Sequence, residues 1–382
     1  MSVTHTTHNL TAAGQAPTNS ASDEDTPPTH VDSASKTTPA ADGITTLQVL
    51  HQHNRRRYGA LAIVAVLALV LFWLDVAAGN SWYTPGEIFA VIRGELIPGV
   101  SFAVGHLRLP RAIIAALVGI ALGIAGRTSQ TLLRNDLASP DIIGITSGAS
   151  TAAVIAVLLF DLSGMIVNTI ALASALGMVL LIFALSGRAS TQGGKLILVG
   201  IGMSAVAMAM TNYVILRANI FDISEALRWL SGSLSNAAWE QVGPLSLAVG
   251  IVGVMMLLLE RDLRTLRLGD EAAIGLGVNV ARTRLLLLVG VVVLSAFAAA
   301  ATGPIAFVAF LAGPLAVRLA GPGDSTLLGL SALIGALLVL GADLAGQHLF
   351  PTVLPVGVVT GVVGAPYLLL SLFRLNQSGA SA

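Results

Sequence analysis

Apolar positions in this chain fall in blocks rather than alternating with polar ones. Runs rich in Leu, Val, Ile, Ala and Gly occupy 59–78, 110–133, 141–159, 164–186, 196–216, 241–259, 285–302, 305–320, 327–348 and 355–373, with short polar or glycine-rich breaks between them. Several reach the roughly 20 residues that carry a helix across the hydrocarbon layer. A membrane barrel would show segments of about ten residues with a period of two, and that pattern is absent. The expected fold is an all-α polytopic membrane protein of about ten transmembrane helices.

The breaks divide the chain further. Residues 1–54 are rich in Ser, Thr, Ala, Pro and Asp, with too few large apolar side chains to offset the entropy of ordering; they read as a disordered cytoplasmic tail. Arg55, Arg56 and Arg57 then lead into the first apolar run. A signal peptide has that order too, but its apolar core is shorter and its leading segment far briefer. The spanning domain covers 55–374, and 375–382 is a short cytoplasmic tail. Trp82, Tyr83 and Pro85 mark an interfacial loop with a short helix at 85–93. Gly119, Gly123 and Gly126, and Gly329, Gly335, Gly341 and Gly346, stand inside spans, where small residues let helix backbones approach closely.

One break dominates. Stretch 260–284 carries Arg261, Arg264, Arg267, Arg282 and Arg284 in a chain that is only 10% charged, and it lies between two apolar runs. Positive flanks are retained in the cytoplasm, so this loop is expected inside. With Arg55, Arg56, Arg57, Arg134, Arg188, Lys195, Arg318 and Arg374 on the same side, only Arg93, Arg108, Arg111, Arg217 and Arg228 fall outside. Moving the register by one span reverses that bias. Both termini are therefore expected to be cytoplasmic, in a multi-pass protein of the cytoplasmic (inner or plasma) membrane.

Composition narrows the chemistry. Soluble domains carry about 25% charged residues, well above this chain. Acidic and basic residues balance at 20 each, which argues against a nucleic-acid partner. With no cysteine, there are neither disulfides nor thiolate metal sites. His5, His8 and His30 are scattered rather than spaced as ligands, and no His/Glu cluster marks a metal site in the spans. The nearest approach to a phosphate-binding loop is Gly194-Lys195, but Leu196 follows where Ser or Thr is needed and Ala189 stands where Gly is needed. The chain reads as a non-enzymatic subunit with no catalytic residue and no cofactor of its own.

Five blocks in order resemble the permease subunits of ATP-binding-cassette importers for iron-siderophores, haem and vitamin B12. Arg108-Leu109-Pro110-Arg111 is similar to that family's RLPR motif, and QTLLRNDLASPDIIGITSG from Gln130 to its Q-x-x-x-RNPLA block. GDEAAIGLGV from Gly269 resembles its GDE loop, while GPIAFV from Gly303 and LPVGVVT from Leu354 complete the series. The resemblance covers roughly 55–374. Arg228-Trp229 through Leu234, Trp239, Asp343 and Gln347 lean toward the ferric-siderophore members. There are departures: Asp136 replaces the usual proline, Arg127 stands at a usually small or apolar position, and Gly313-Pro314-Leu315-Ala316-Val317-Arg318 lacks the His of the Pro-His-x-x-Arg that the family often has there.

The resemblance implies a permease that works as a dimer, with a second copy or a paralogue. Two cytoplasmic ATPase subunits would bind the ATP and Mg, and an extracytoplasmic siderophore-binding lipoprotein would deliver cargo. It implies that Gly269, Asp270, Glu271, Ala272, Leu276 and Gly277 form the ATPase-coupling loop. Asp270 and Glu271 suit the first turn of a helix, whose exposed N–H groups favour negative charge. Arg108 and Arg111 would dock the binding protein, since the planar arginine fork holds a carboxylate bidentately; snorkelling to headgroups is the plainer reading.

The remaining polar residues divide between pathway and scaffold. Gln130, Thr146, Ser147 and Asp343 are candidate pathway residues, with Ser204 as a weaker one. Thr191, Gly193 and Gly194 form either a cytoplasmic gate or a plain turn. Asp343 and Arg127 are ionisable within spans, where such residues face a cavity or a partner; an inter-helix bond fits Asp343 as well as cargo does. The leading function is uptake of iron-siderophore complexes by ATP-driven alternating access. Haem or cobalamin is the alternative cargo. An ion-coupled secondary transporter is the alternative class, and it predicts inverted repeats and paired membrane acids. The sequence leaves open the siderophore and the identity of the second permease.

Overall fold

α4 (Leu109–Leu132) is the axis of the molecule, and its own composition explains why. From Ala112 to Thr131 nearly every residue is buried whichever way it faces, the mark of a helix surrounded by others. The computed structural model describes residues 43–79, 81–186, 194–321 and 326–379. Before α4 come α1 (Gly43–Ala77), α2 (Pro85–Ile92) and α3 (Val100–Phe102). After it, in chain order, are α5 (Ile145–Phe160), α6 (Met165–Ser186), α7 (Gly194–Arg217), α8 (Ile220–Leu230), α9 (Trp239–Ala248) and α10 (Val254–Leu258). The series closes with α11 (Glu260–Leu266), α12 (Asp270–Gly275), α13 (Val280–Thr302), α14 (Val308–Ala320), α15 (Leu328–His348) and α16 (Val356–Gly379). No strand occurs among the described residues.

α15 runs antiparallel to α4 in its closest contact, and glycine makes that contact possible. A Cβ at Gly119 would meet the backbone of Gly335 and Ala336, one at Gly335 would meet the carbonyl of Gly119, and one at Gly123 would meet that of Ser331. On another side of α4, a Cβ at Gly126 would meet the Ala309 carbonyl of α14. Apolar burial drives little helix association in lipid, so such close van der Waals packing supplies much of the cohesion. Ile114, Val118 and Ile124 of α4 join Leu287, Val291 and Leu294 of α13 and Leu328, Val339 and Leu340 of α15 in the main core. A second core joins α5, α6 and α13 through Ile145, Ala149, Ala153, Ala171, Ala175 and Ala296.

Burial separates axis from perimeter. In the segments Val100–Leu132, Val280–Thr302 and Leu328–His348 more than 60% of the most apolar window is buried, against 22% in Arg55–Ala77 and Ile197–Arg217. The perimeter helices expose Leu67, Leu69, Leu180, Leu198 and Met208, an arrangement suited to a hydrocarbon solvent.

Among the described residues, seven helices are long and apolar enough to cross a membrane. The shorter apolar helices Ile145–Phe160, Val308–Ala320 and Val356–Ser371 fall on the other three expected spans. Boundaries differ where local chemistry intervenes. Helical structure runs unbroken from Val100 into α4, although the sequence places that span's start at Pro110. Ala103–Arg108 is π-helical, and this widened stretch precedes the proline, which falls in the first turn of α4. α5 starts later than expected because Pro140–Ile143 form a 3-10 turn ending at Gly144, φ +81°. α1 begins at Gly43 and α16 continues to Gly379, so both flanks expected to be tails carry helix within the described residues. The short helix expected at 85–93 is present as α2, capped by Thr84.

Candidate functional site

The end of the bundle where α4 finishes and α13 begins carries the arginine-rich stretch, folded into two short helices. Leu259 ends α10 and opens α11, whose Leu263 and Leu266 are buried in the main core. Gly269 then adopts φ +117°, a conformation that favours glycine, and starts α12. Asp270 and Glu271 occupy the first turn of α12, as the sequence suggests. Ala273 is its buried anchor, while Leu268, Ile274 and Leu276 are each about two-thirds exposed. A helix of six residues cannot hold itself together; here ion pairs do part of the holding.

Asp270 is the link. Arg284 of α13 donates through Nη2 to both its carboxylate oxygens, at 2.9 and 3.2 Å. Arg134, in the turn after α4, reaches the same carboxylate at 3.7 Å and donates to the Leu266 carbonyl at 3.0 Å. α12 is thereby tied to the end of the most buried helix and to the start of α13. Beside it, Phe183, Ile274, Val278, Ala281, Leu285 and Leu288 line a largely apolar cavity of about 470 Å³.

A second chain of contacts runs inward from this end. Arg127 is buried, donates from Nε to the Thr326 carbonyl at 2.8 Å and from Nη1 to Asp136 at 3.3 Å. Thr326 donates to Glu260 Oε1 at 2.6 Å, and Glu260 lies 3.8 Å from Arg57 of α1. The two departures noted in the sequence, Arg127 and Asp136, are therefore partners. Gln130 is buried too and donates to the Phe310 carbonyl of α14 at 3.0 Å, with Gly313 leaving room for its side chain. It braces α4 against α14.

Thr146 and Ser147 sit half-buried in the first turn of α5, and the Ser147 carbonyl accepts from Thr151 at 2.9 Å. Ser204 of α7 stands close to Gly144. Thr191 and Gly193 lie outside the described residues, and Gly194 is the first residue of α7.

At the opposite end, both arginines of the RLPR block are engaged within the chain. Arg108 donates from Nη1 to the Val76 and Ala77 carbonyls at 3.3 and 3.0 Å and from Nη2 to Ser81 at 3.2 Å, with its guanidinium 4.6 Å from the centre of the Tyr83 ring. It thus closes the carbonyl end of α1, where the helix leaves acceptors unsatisfied. Arg111 grips Asp343 of α15 with two bonds of 2.8 and 2.7 Å. Both guanidiniums of the block thus have their partners within the chain. Asp343, 1% exposed, is correspondingly an inter-helix partner rather than an open cargo contact.

Gln347 extends the cluster by donating to Asp343 at 2.9 Å and to Asp75 of α1 at 3.1 Å. Sequence reasoning passed over Asp75, whose signal was an acid near the end of an otherwise apolar run. Nearby, three motif blocks meet. Ser233 donates its backbone N–H to Thr302 at 2.7 Å and Gly357 donates to Gly232 at 3.0 Å. Glycine is required at Gly232 and Gly303, both at positive φ and pressed against the carbonyls of Pro304 and Trp229.

Residues 67–374 match the FecCD transport family. The chain belongs to that family. It is 36% identical over 333 residues to the ferric enterobactin transport system permease protein FepG of Escherichia coli, a match covering 86% of this chain and 99% of the relative. It is 35% identical to the achromobactin transport system permease protein CbrC of Dickeya dadantii, across 85% and 93% of the two chains. The Fe(3+)-citrate import system permease protein YfmE of Bacillus subtilis is 37% identical, across 84% and 96%. Among solved structures, a metal-chelate type ABC transporter in an inward-facing conformation superposes with a TM-score of 0.73 at 25% identity, covering 82% of this chain and 98% of that one. The all-α permease bundle is thus a family property, and the chain is a transmembrane permease of this class.

Proposed function

We propose that this chain is the membrane-spanning subunit of an ATP-binding-cassette importer that carries an iron-siderophore complex inward across the cytoplasmic membrane. The observation that carries the reading is α12. It presents Ile274 and Leu276 outward, while Asp270 ties it to Arg284 and Arg134. A soluble ATPase that seats those apolar side chains would move a lever coupled directly to α4 and α13. In this reading the α12 end and both termini are cytoplasmic. Gly269, Asp270, Glu271, Ala272, Leu276 and Gly277 form the surface that meets an ATPase dimer, which supplies ATP and Mg. The relatives' names, which specify ferric enterobactin, achromobactin and ferric citrate, favour an iron chelate as cargo.

A second permease subunit would complete the cargo cavity, and an external siderophore-binding lipoprotein would sit over the end where Arg108 and Arg111 lie. Since these two guanidiniums are bound internally, their part there is to shape the rim. Along the path, Thr146 and Ser147 keep partly open faces and remain the pathway candidates.

The chain has no cysteine, so a single Glu271→Cys substitution creates a unique thiol on α12. It should form a crosslink to the ATPase and resist membrane-impermeant thiol reagents added to intact cells. Labelling from outside would overturn the orientation. Chelate uptake that survives ATPase-dead partners but collapses with uncouplers would replace this reading with ion-coupled transport.

A further inference from the structure

Where α4 gives way to its polar turn, a cavity of about 270 Å³ is lined by Arg127, Gln130, Thr131, Arg134, Asp136 and Arg267. Three guanidiniums border it against one carboxylate. That carboxylate, Asp136, has a side chain 76% exposed, so water screens its attraction, whereas Arg127 is 6% exposed. The Arg267 side chain makes no hydrogen bond or ion pair among the described residues, and its positive charge repels that of Arg127. Arg134 shares Asp270 with Arg284. Gln130, itself buried, lines the same cavity, with its Oε1 turned against Gly313. The rim holds more positive charge than its own acids balance, and Arg127, the buried one of the three, has only a water-screened carboxylate as counter-charge.

We infer that the cavity binds a phosphate-class anion, held by Arg127, Arg134 and Arg267. Planar guanidiniums suit phosphate oxygens. The cavity lies at the end of a spanning helix, and basic pockets between such helices at the cytoplasmic interface take anionic headgroups. Free phosphate has the same chemistry. This site goes beyond the transport reading and needs neither cargo nor ATPase to be occupied.

The test uses the full chain purified in detergent and stripped of lipid, with binding read by native mass spectrometry. Phosphatidylglycerol, phosphatidylcholine and inorganic phosphate are added separately. One phosphatidylglycerol or one phosphate should be retained in preference to phosphatidylcholine. Arg267→Gln should weaken that retention about fivefold, the effect of removing one nearby basic charge. Arg261→Gln, an exposed arginine of α11 outside the cavity, should leave it unchanged. Arg127→Gln risks the fold because Arg127 bridges Thr326 and Asp136, so the exposed Arg267 carries the test. Lipid binding without phosphate binding assigns the headgroup as the source; phosphate binding in lipid-free micelles assigns a soluble anion. Equal retention of the two lipids, equal losses in Arg267→Gln and Arg261→Gln, or no binding at all would overturn the inference.

Discussion

Arg111 and Asp343 close a two-pronged ion pair across the α4–α15 interface, Nε to Oδ2 at 2.8 Å and Nη2 to Oδ1 at 2.7 Å, with Asp343 almost fully buried. Breaking such a pair by removing one partner leaves the other charge buried alone, at a cost of about 3–5 kcal/mol. Asp343→Asn and Arg111→Gln should therefore each lower the melting temperature of the purified chain. Replacing both residues together with Leu and Met should recover most of the loss. An arginine kept for docking would behave in the opposite way, with unchanged melting and weakened capture of the binding protein.

The contact between Gly119 and Gly335 gives a second expectation. A single added methyl at either position meets backbone of the facing helix, which has no rotamer to yield. Gly335→Ala should sharply reduce the monodisperse peak in size-exclusion chromatography. Gly329→Ala, in the same helix with nothing within 4 Å of the new carbon, should match or exceed the parent. Alanine is a better helix former than glycine by about 1 kcal/mol.

These two cases show what can be read from the chain and what cannot. The helices followed from hydropathy because a spanning segment must be apolar over its whole length, whatever its neighbours. The glycines at 119 and 335 were visible as a packing signal, but nothing local says which helix each one meets. Pairings across distance were beyond reach for the same reason. Arg111 and Asp343 are 232 positions apart, and an arginine at the head of a span reads equally well as facing outward. Arg127 and Asp136 each looked like an isolated departure, and only the turn after α4 brings them together. Asp75 was passed over because one acid barely disturbs an apolar run, although it is buried and bonded to Gln347.

Outside the spans, α2 should respond to acid. Thr84 donates from its backbone N–H to Glu87 at 2.7 Å and from its hydroxyl at 2.8 Å, and the backbone bond foremost holds the Glu87 carboxyl below the usual range. A carboxyl depressed in the folded state lends stability that is present above its unfolded pKa and is lost as pH falls through the folded value. Amide exchange in residues 87–92 should therefore quicken as pH is lowered through the carboxylate range, after correction for intrinsic rates. In Glu87→Ala the exchange should already be fast and show no such dependence.

Asp270 separates stability from coupling. It is half-exposed, so its pairs with Arg284 and Arg134 contribute at most about 1 kcal/mol to folding. Asp270→Ala should leave the melting temperature within a degree or two. The same change frees α12 from α13 and from the turn after α4, leaving Ala273 as its anchor in the core. If α12 transmits force, a partner ATPase should still bind through Ile274 and Leu276 and still hydrolyse ATP, while chelate delivered per ATP falls several-fold. Measuring uptake and hydrolysis together in proteoliposomes gives that ratio. An unchanged ratio would mean that α12 is a passive foothold and that force enters the bundle elsewhere.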